Sequence, residues 1–470
     1  MSNALSNLNR VQQIGLALGL ILLIIFWNVR LGDMPANGSH ALAVVMMTAM
    51  FWIFGVMPPA FASLTAVVII TVFKIEKIDV AFSGYVSSAI WLIVFSLIIA
   101  KGVEKSGLAT RIVTMMMGKM PLSFNGMVGL LIVLCCSTPF FIPSCSASVT
   151  LCMTLAVGFM LAVGIDRDPN NKVCAGLTCF IAILTLMAGR APLTGAMPNF
   201  VCVGLVKQIS GVEISWLTWL ASMWIILPIL AIATYFYITR KYQPEIPLSR
   251  EAIKAQVDKT KGELGPIKPN EIKAAIYVGL AIFLWITDGK IFPAIGTNQI
   301  GMLCGTLFLL PYIGTLDLAD FKGLSWEAFA FAGGTYSLGV ILTTTGFAAW
   351  AGTLISSMKY LETASFFTIF VSLMAFTVII HFFLETLGVV TLLTPIVLKT
   401  GLLPPKAVAM IIPYFDGFYI FPFQSTPIII SLSFNTTTWG DIVRYGAFMT
   451  VIGILQGLLF GAFYWPHTML

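Results

Sequence analysis

Three ionisable side chains interrupt stretches that are otherwise apolar. Arg190 sits in Gly189-Arg190-Ala191-Pro192, and His381 and Glu385 fall in the stretch from His381 to Gly388. An ionisable group held at membrane depth is costly to keep, so it defaults to a functional reading. His381 precedes Glu385 by four residues, a spacing that puts both on one helix face. A His/Glu pair can hold and release a proton near neutral pH. The planar fork of Arg190 can clamp a carboxylate or neutralise Glu385. The plainer alternative for all three is a buried pair at a helix break with no ligand to handle. Asp416, in Pro413-Tyr414-Phe415-Asp416-Gly417, reads as capping a kink, with a gate or ion contact as the alternative.

Composition sets the depth at which these groups lie. Of 470 residues, 58% are hydrophobic and 10% charged, and the mean hydropathy is +0.96. A soluble globule could not hide that much apolar surface. A soluble enzyme, a nucleic-acid-binding protein and a disordered chain are excluded, and long uninterrupted spans point to an all-α polytopic membrane protein. The net charge of +6 is small for the length and does not argue for nucleic acid. The eight cysteines include no C-x-x-C pair and mostly sit inside apolar runs. They read as small reduced apolar residues, not disulfides or metal ligands. Ile14 to Trp27 ends without a small-residue cleavage site and is kept as a span. There is no nucleotide-binding G-x-x-x-x-G-K-[ST], H-E-x-x-H or G-x-S-x-G, so neither an ATP-driven pump nor an intramembrane hydrolase is expected.

The elements that must position the charged residues follow from the apolar runs. Clear spans are expected at 12–30, 40–56, 59–73, 88–103, 172–189, 215–239, 272–287, 298–315 and 443–465. Interrupted stretches fall between them, broken at Phe140–Ser146, Gly189–Pro192, His381–Gly388 and Pro422–Pro427. Non-helical backbone at this depth is tolerated only where protein or a watery cavity covers it, which is where a carrier places its ligand. The polar segment from Arg240 to Lys273 carries Arg250, Lys254, Lys259, Lys261 and Lys268 and reads as a cytoplasmic linker. Lys101, Lys105, Arg111 and Lys119 form a second basic cluster on the same side. The division is 1–239, a first membrane repeat; 240–271, the linker; and 272–470, a second repeat.

The halves echo one another. Ser106-Gly107 returns as Thr345-Gly346 at an offset of 239, Thr150-Leu151 as Thr391-Leu392 at 241, and Met197-Pro198 less closely as Thr426-Pro427 at 229. Internal duplication accounts for three echoes in one order, and chance likeness between apolar helices is the alternative. Duplication would place each half's broken segments around one central site.

These residues resemble the divalent anion:sodium symporter family, whose members carry dicarboxylates, citrate or sulfate. Ala100-Lys101-Gly102-Val103-Glu104-Lys105-Ser106-Gly107-Leu108 looks like that family's AKG-E-TGL segment, and Gly195-Ala196-Met197-Pro198-Asn199 is similar to its G-T-P-P-N. The resemblance implies two inverted repeats, each with a re-entrant helical hairpin and a broken helix (172–208 and 405–435), in a homodimer. It also implies two Ser-Asn-Thr hairpin tips that cradle substrate carboxylates and help bind sodium. Here the tips depart from the pattern. Ser144-Cys145-Ser146 falls at the first and Glu385-Thr386-Leu387 at the second, with Leu384-Glu385-Thr386 if the register shifts by one. The second T-P-P-N becomes Ser425-Thr426-Pro427-Ile428, preceded by Gln424.

Hydroxyls and free N–H groups at a hairpin tip bind an anion without a full positive charge. Ser144, Ser146 and Ser148 supply such groups at the first tip and Thr386 at the second, and the alternative is that they only satisfy broken backbone. Sodium needs several oxygen ligands. Cys145 is a poor one, which leaves the Gly195 carbonyl, Glu385 and Gln424 as ion-coupling candidates beside His381. An ionised Glu385 would repel a dianion, so it is protonated or paired, or the cargo carries less charge. The expectation is a secondary active transporter in the inner membrane, moving small organic anions, di- or tricarboxylates, by alternating access. Sodium or protons are the expected coupling ions, with no cofactor. The alternatives are a sodium-independent or proton-coupled carrier of a monoanion, sulfonate or sulfate, and an anion channel.

Overall fold

The computed structural model describes residues 9–117, 123–142, 144–162, 164–244, 265–291 and 294–469, with isolated positions between 254 and 264. Lys119, Pro143, Arg250, Lys259, Lys261 and most of the 240–271 segment lie outside the described residues. The first half holds α1 (Arg10–Asn28), α2 (Ala36–Ile53), α3 (Pro59–Val72), α4 (Ser88–Ser106), α5 (Leu108–Met117), α6 (Phe124–Phe141), α7 (Cys145–Ala162), α8 (Lys172–Thr178), α9 (Ile181–Ala188), α10 (Met197–Ser210), α11 (Trp216–Met223) and α12 (Ile226–Lys241). The second holds α13 (Pro269–Thr287), α14 (Thr297–Leu307), α15 (Trp326–Thr344), α16 (Phe347–Ser356), α17 (Phe366–His381), α18 (Thr386–Thr400), α19 (Pro405–Phe415), α20 (Thr426–Ser433) and α21 (Trp439–Phe463). Several shorter turns of helix connect them.

Among the described residues, α1, α2, α6, α13 and α21 are each long and apolar enough to cross a bilayer. Two bent pairs, α11/α12 at 43° and α15/α16 at 68°, bring the number to seven. Ile24, Phe236, Phe283 and Phe463 stand exposed on these helices, as side chains facing lipid do. The helices start where short polar side chains supply caps. Asn9 accepts from Gln12 N, Ser365 from Thr368 N and Thr438 from Asp441 N, each satisfying an N–H that the helix leaves orphaned.

Three expected spans are reshaped, the 215–239 run by the bend between α11 and α12. The 298–315 run is helical only to Leu307, because the chain turns back and both Thr315 N and Leu316 N donate to Phe308 O. The 172–189 run is interrupted at Cys179-Phe180, between α8 and α9.

The echoes in the sequence coincide with recurring local geometry. Gly107 and Gly346 both adopt φ 85 at the end of a long helix, where a left-handed residue turns the chain into a short amphipathic helix. The hairpins resume at Cys145 and Thr386, an offset of 241. Each broken helix closes with a 3-10 turn, 193–195 and 422–424, then an extended residue: Ala196 (φ −149, ψ 143) or Ser425 (φ −155, ψ 133). Packing crosses between halves in a matching way. The second arm of the first hairpin, α7, packs on α20, and α10 packs on the second arm of the other hairpin, α18. Around this unit α4 packs on α14, and α3 on α15.

Two ion-pair clamps lie on the linker side. Lys105 pairs with Asp317 at 2.9 Å and with Asp320, and its ammonium holds the Asp317 carboxyl down at about 2. Arg111 reaches Glu271 through two bonds, Nε to Oε2 at 2.6 Å and Nη2 to Oε1 at 3.1 Å. The same guanidinium donates to the carbonyls of Gly265 and Pro266. The second clamp thereby ties α5 to the start of α13.

Candidate functional site

The two hairpin tips are built alike. Ser144 precedes α7, and its Oγ accepts from Ala147 N at 3.3 Å. Glu385 is the N-cap of α18, and its Oε2 accepts from Leu387 N at 3.0 Å. The carboxylate of Glu385 thus occupies the anion-favouring end of its own helix. His381 is the last residue of α17 and Glu385 lies beyond the break, so the one-face spacing expected for them does not hold. The chain leaves the helix after His381, and four-residue spacing has no facial meaning across a turn.

The helix breaks are braced by amides. Asn199 Nδ2 lies 3.0, 3.1 and 3.3 Å from the carbonyls of Gly189, Pro192 and Leu193. In the other half, Gln424 Oε1 accepts from Ile420 N and Phe421 N at 2.7 Å each, and its Nε2 donates to His381 O at 3.0 Å. The Gly195 carbonyl accepts from Cys145 Sγ at 3.2 Å. Sequence reading offered Gly195 and Gln424 as cation ligands, and the groups concerned are engaged within the protein.

Between the breaks lies a buried charge cluster. Arg190 is 2% exposed, His381 1% and Asp416 0%. Arg190 Nη2 donates to Tyr419 OH at 2.7 Å and lies 3.4 Å from Asp416 Oδ2. His381 Nδ1 lies 3.0 Å from Asp416 Oδ1, off the line of a hydrogen bond. Arg190 Nη1 and His381 Nε2 have no hydrogen-bond partner among the described residues. Asp416 holds the C-cap position of α19, as the kink reading expects, while its carboxylate turns to Arg190 as counter-charge and lies beside the His381 imidazole. The pairing expected between Arg190 and Glu385 is taken by Asp416 and Tyr419. Three elements supply the cluster: the break after α9, the break after α19 and the end of α17.

One cavity of about 150 Å³ joins these parts. Its walls include Ser144, Cys145 and Ser146 from the first tip, and Glu385, Thr386 and Leu387 from the second. Arg190, Tyr419, Ser425 and Thr426 come from the breaks. Ser325 and Ala328 at the start of α15 also line it, so it extends toward the side that carries the Lys105 and Arg111 clamps. Gly195, Gln424 and His381 stand behind the wall. Sequence reading missed Tyr419, whose OH lies 3.5 Å from Thr386 Oγ1. Nothing marks it among twelve tyrosines. A larger cavity of about 310 Å³ between α16, α17 and α18 is lined almost wholly by apolar side chains and offers no charge to an ion.

Hairpins and interrupted helices enclosing a small cavity with a few convergent hydroxyls and charged groups, inside an apolar bundle, define a membrane carrier. The fold agrees with solved carriers. The chain superposes on the YdaH transporter of Alcanivorax borkumensis at a TM-score of 0.57 and 12% identity, covering 97% of this chain and 99% of that one. It superposes on Neisseria gonorrhoeae MtrF at 0.52 and 11%, covering 96% and 95%. Residues 11–470 match the sodium:sulfate symporter transmembrane region, and the chain belongs to that family of transporters. Among curated relatives, the citrate/succinate antiporter of Escherichia coli K12 is 25% identical over 82% of this chain and 79% of its own length. The chloroplastic dicarboxylate transporter 2.2 of Arabidopsis thaliana is 27% identical over 78% and 67%.

Proposed function

We propose that the protein is a secondary active carrier of small carboxylates of dicarboxylate size, which it holds between the two hairpin tips. The observation that carries this reading is a single cavity shared by both tips and both helix breaks, with an arginine in its wall. Two hydroxyl-bearing bends and a guanidinium suit a molecule with a carboxylate at each end. The names of the relatives favour the same class: citrate/succinate, dicarboxylate and, in Shigella flexneri, L-tartrate/succinate. Substrate contacts are assigned to Ser144, Cys145, Ser146, Thr386, Leu387, Ser425 and Thr426, with Arg190 on a carboxylate. The recurring geometry at offsets 229 to 241 supports two inverted repeats, 1–239 and 272–470, moving cargo by alternating access.

Coupling is the point on which this chain departs from its family's name. The Gly195 carbonyl is met by a thiol and the Gln424 amide is spent on backbone, so the reading favours sodium-independent operation, by exchange or with protons. Inner-membrane location and a homodimer complete the proposal. The test is counterflow in proteoliposomes. Labelled succinate should enter faster when unlabelled succinate, citrate or tartrate is inside, and replacing sodium by choline should leave the rate unchanged. Entry that ignores the internal solute points to a pore and sinks the carrier reading. A rate that collapses in choline restores sodium.

A further inference from the structure

One carboxylate stands between two bases in the buried cluster. Asp416 offers Oδ2 to Arg190 at 3.4 Å and Oδ1 to His381 at 3.0 Å. Neither contact is a well-made hydrogen bond, while Arg190 Nη1 and His381 Nε2 are left without partners. Arg190 is part of the cavity wall and His381 is not. A single negative charge cannot neutralise two positive ones, and in a site this dry the imbalance matters.

We infer that His381 is the proton site of this carrier, and that a proton there and a substrate carboxylate at Arg190 bind together, linked through Asp416. The inference rests on the carboxylate reading above. With His381 neutral, Asp416 balances Arg190, and the cluster presents no net charge to an anion. A proton taken from solvent onto the imidazole puts two cations against one carboxylate. The excess positive charge appears at the member that faces the cavity, the Arg190 guanidinium. A substrate carboxylate there completes two pairs from two cations. Linkage then runs both ways: substrate raises the affinity for the proton by the factor by which the proton raises the affinity for substrate. His381 touches no substrate, so it is a positioning residue.

Other titratable groups stand on the elements packed around the cluster. Tyr419 lies with its ring 5.3 Å from that of His381, and Tyr414 on α19 donates to Gly453 O. Glu385 caps α18 in the cavity wall. Cys145 and Cys202 come from α7 and α10, with their thiols on Gly195 O and Thr394 Oγ1. Tyr445 of α21 bonds Thr234 instead. Glu385 is the rival, since it too could carry the proton.

The experiment is calorimetric titration of succinate into the purified full chain, without sodium, in buffers of different ionisation enthalpy. Wild type should take up protons on binding, and its Kd should weaken as pH rises, by at most tenfold per unit for one proton. His381→Gln should bind with no proton uptake and a flat pH profile. Glu385→Gln should retain the uptake, whatever its affinity. Asp416→Asn, which removes the shared counter-charge, should also lose the pH dependence, and it serves if the His381 variant does not fold. Uptake that survives in His381→Gln, or is lost in Glu385→Gln, overturns the assignment. So does wild-type binding without proton uptake. If wild type gives no heat with succinate, citrate or tartrate, the carboxylate reading falls first and takes this inference with it.

Discussion

Arg190 is held by unlike contacts: one short bond to Tyr419, one long approach to Asp416, and a bare Nη1. Both contacts leave from Nη2, so Nε and Nη1 remain as a fork for a carboxylate, which a lysine keeps in charge but not in shape. Arg190→Lys should raise the KM for succinate in proteoliposomes by about tenfold or more, and Arg190→Met should abolish saturable uptake. Tyr419→Phe removes one charge-assisted bond, which is on the order of 1.5 kcal/mol, and should weaken succinate by about tenfold with the fold intact. At this scale the sequence was only half legible. Arg190, His381 and Glu385 could be picked out because charge is conspicuous among apolar neighbours. Their partners could not. Asp416 lies 226 residues from Arg190, and no local spacing announces a contact made only when two helix breaks are brought face to face.

At the level of helices, punctuation was easier to read than continuity. Proline, glycine and hydroxyl clusters marked the four breaks that frame the site, but nothing of the kind marked the one at Cys179-Phe180. Hydropathy alone ran one helix too far, past Leu307, since an apolar turn looks like an apolar helix. The amphipathic α5 is anchored by a pair that the sequence does not single out. Glu271 is 2% exposed at its side chain and bonded twice by Arg111. Removing one partner of such a pair leaves the other buried and uncompensated. Glu271→Gln should lower stability in detergent by about 3 kcal/mol, seen as a fall in the thermal midpoint. Lys101→Gln, at an exposed i,i+3 pair with Glu104, should shift it little.

Across the whole molecule, the all-helical membrane architecture was the most legible feature, because composition forces helices. What the sequence could not convey is which face the cavity opens to, since that depends on how the bundles sit at one instant. Its wall reaches Ser325 and Ala328, which follow shortly in the chain on Asp317 and Asp320 of the Lys105 clamp. A membrane-impermeant maleimide should therefore label Cys145 from the linker side only, and succinate should protect it. Labelling from the opposite side alone would reverse the assigned opening.

The amide of Asn199, gathering three carbonyls at the first break, does for the chain what a bound cation would do. The kinked backbone stays furnished with a donor when the vestibule is vacant. Its order does not have to be created when cargo arrives, so little binding energy is diverted into freezing the peptide. A molecule with few atoms, and so few contacts to give, can then be gripped by a scaffold that was already set.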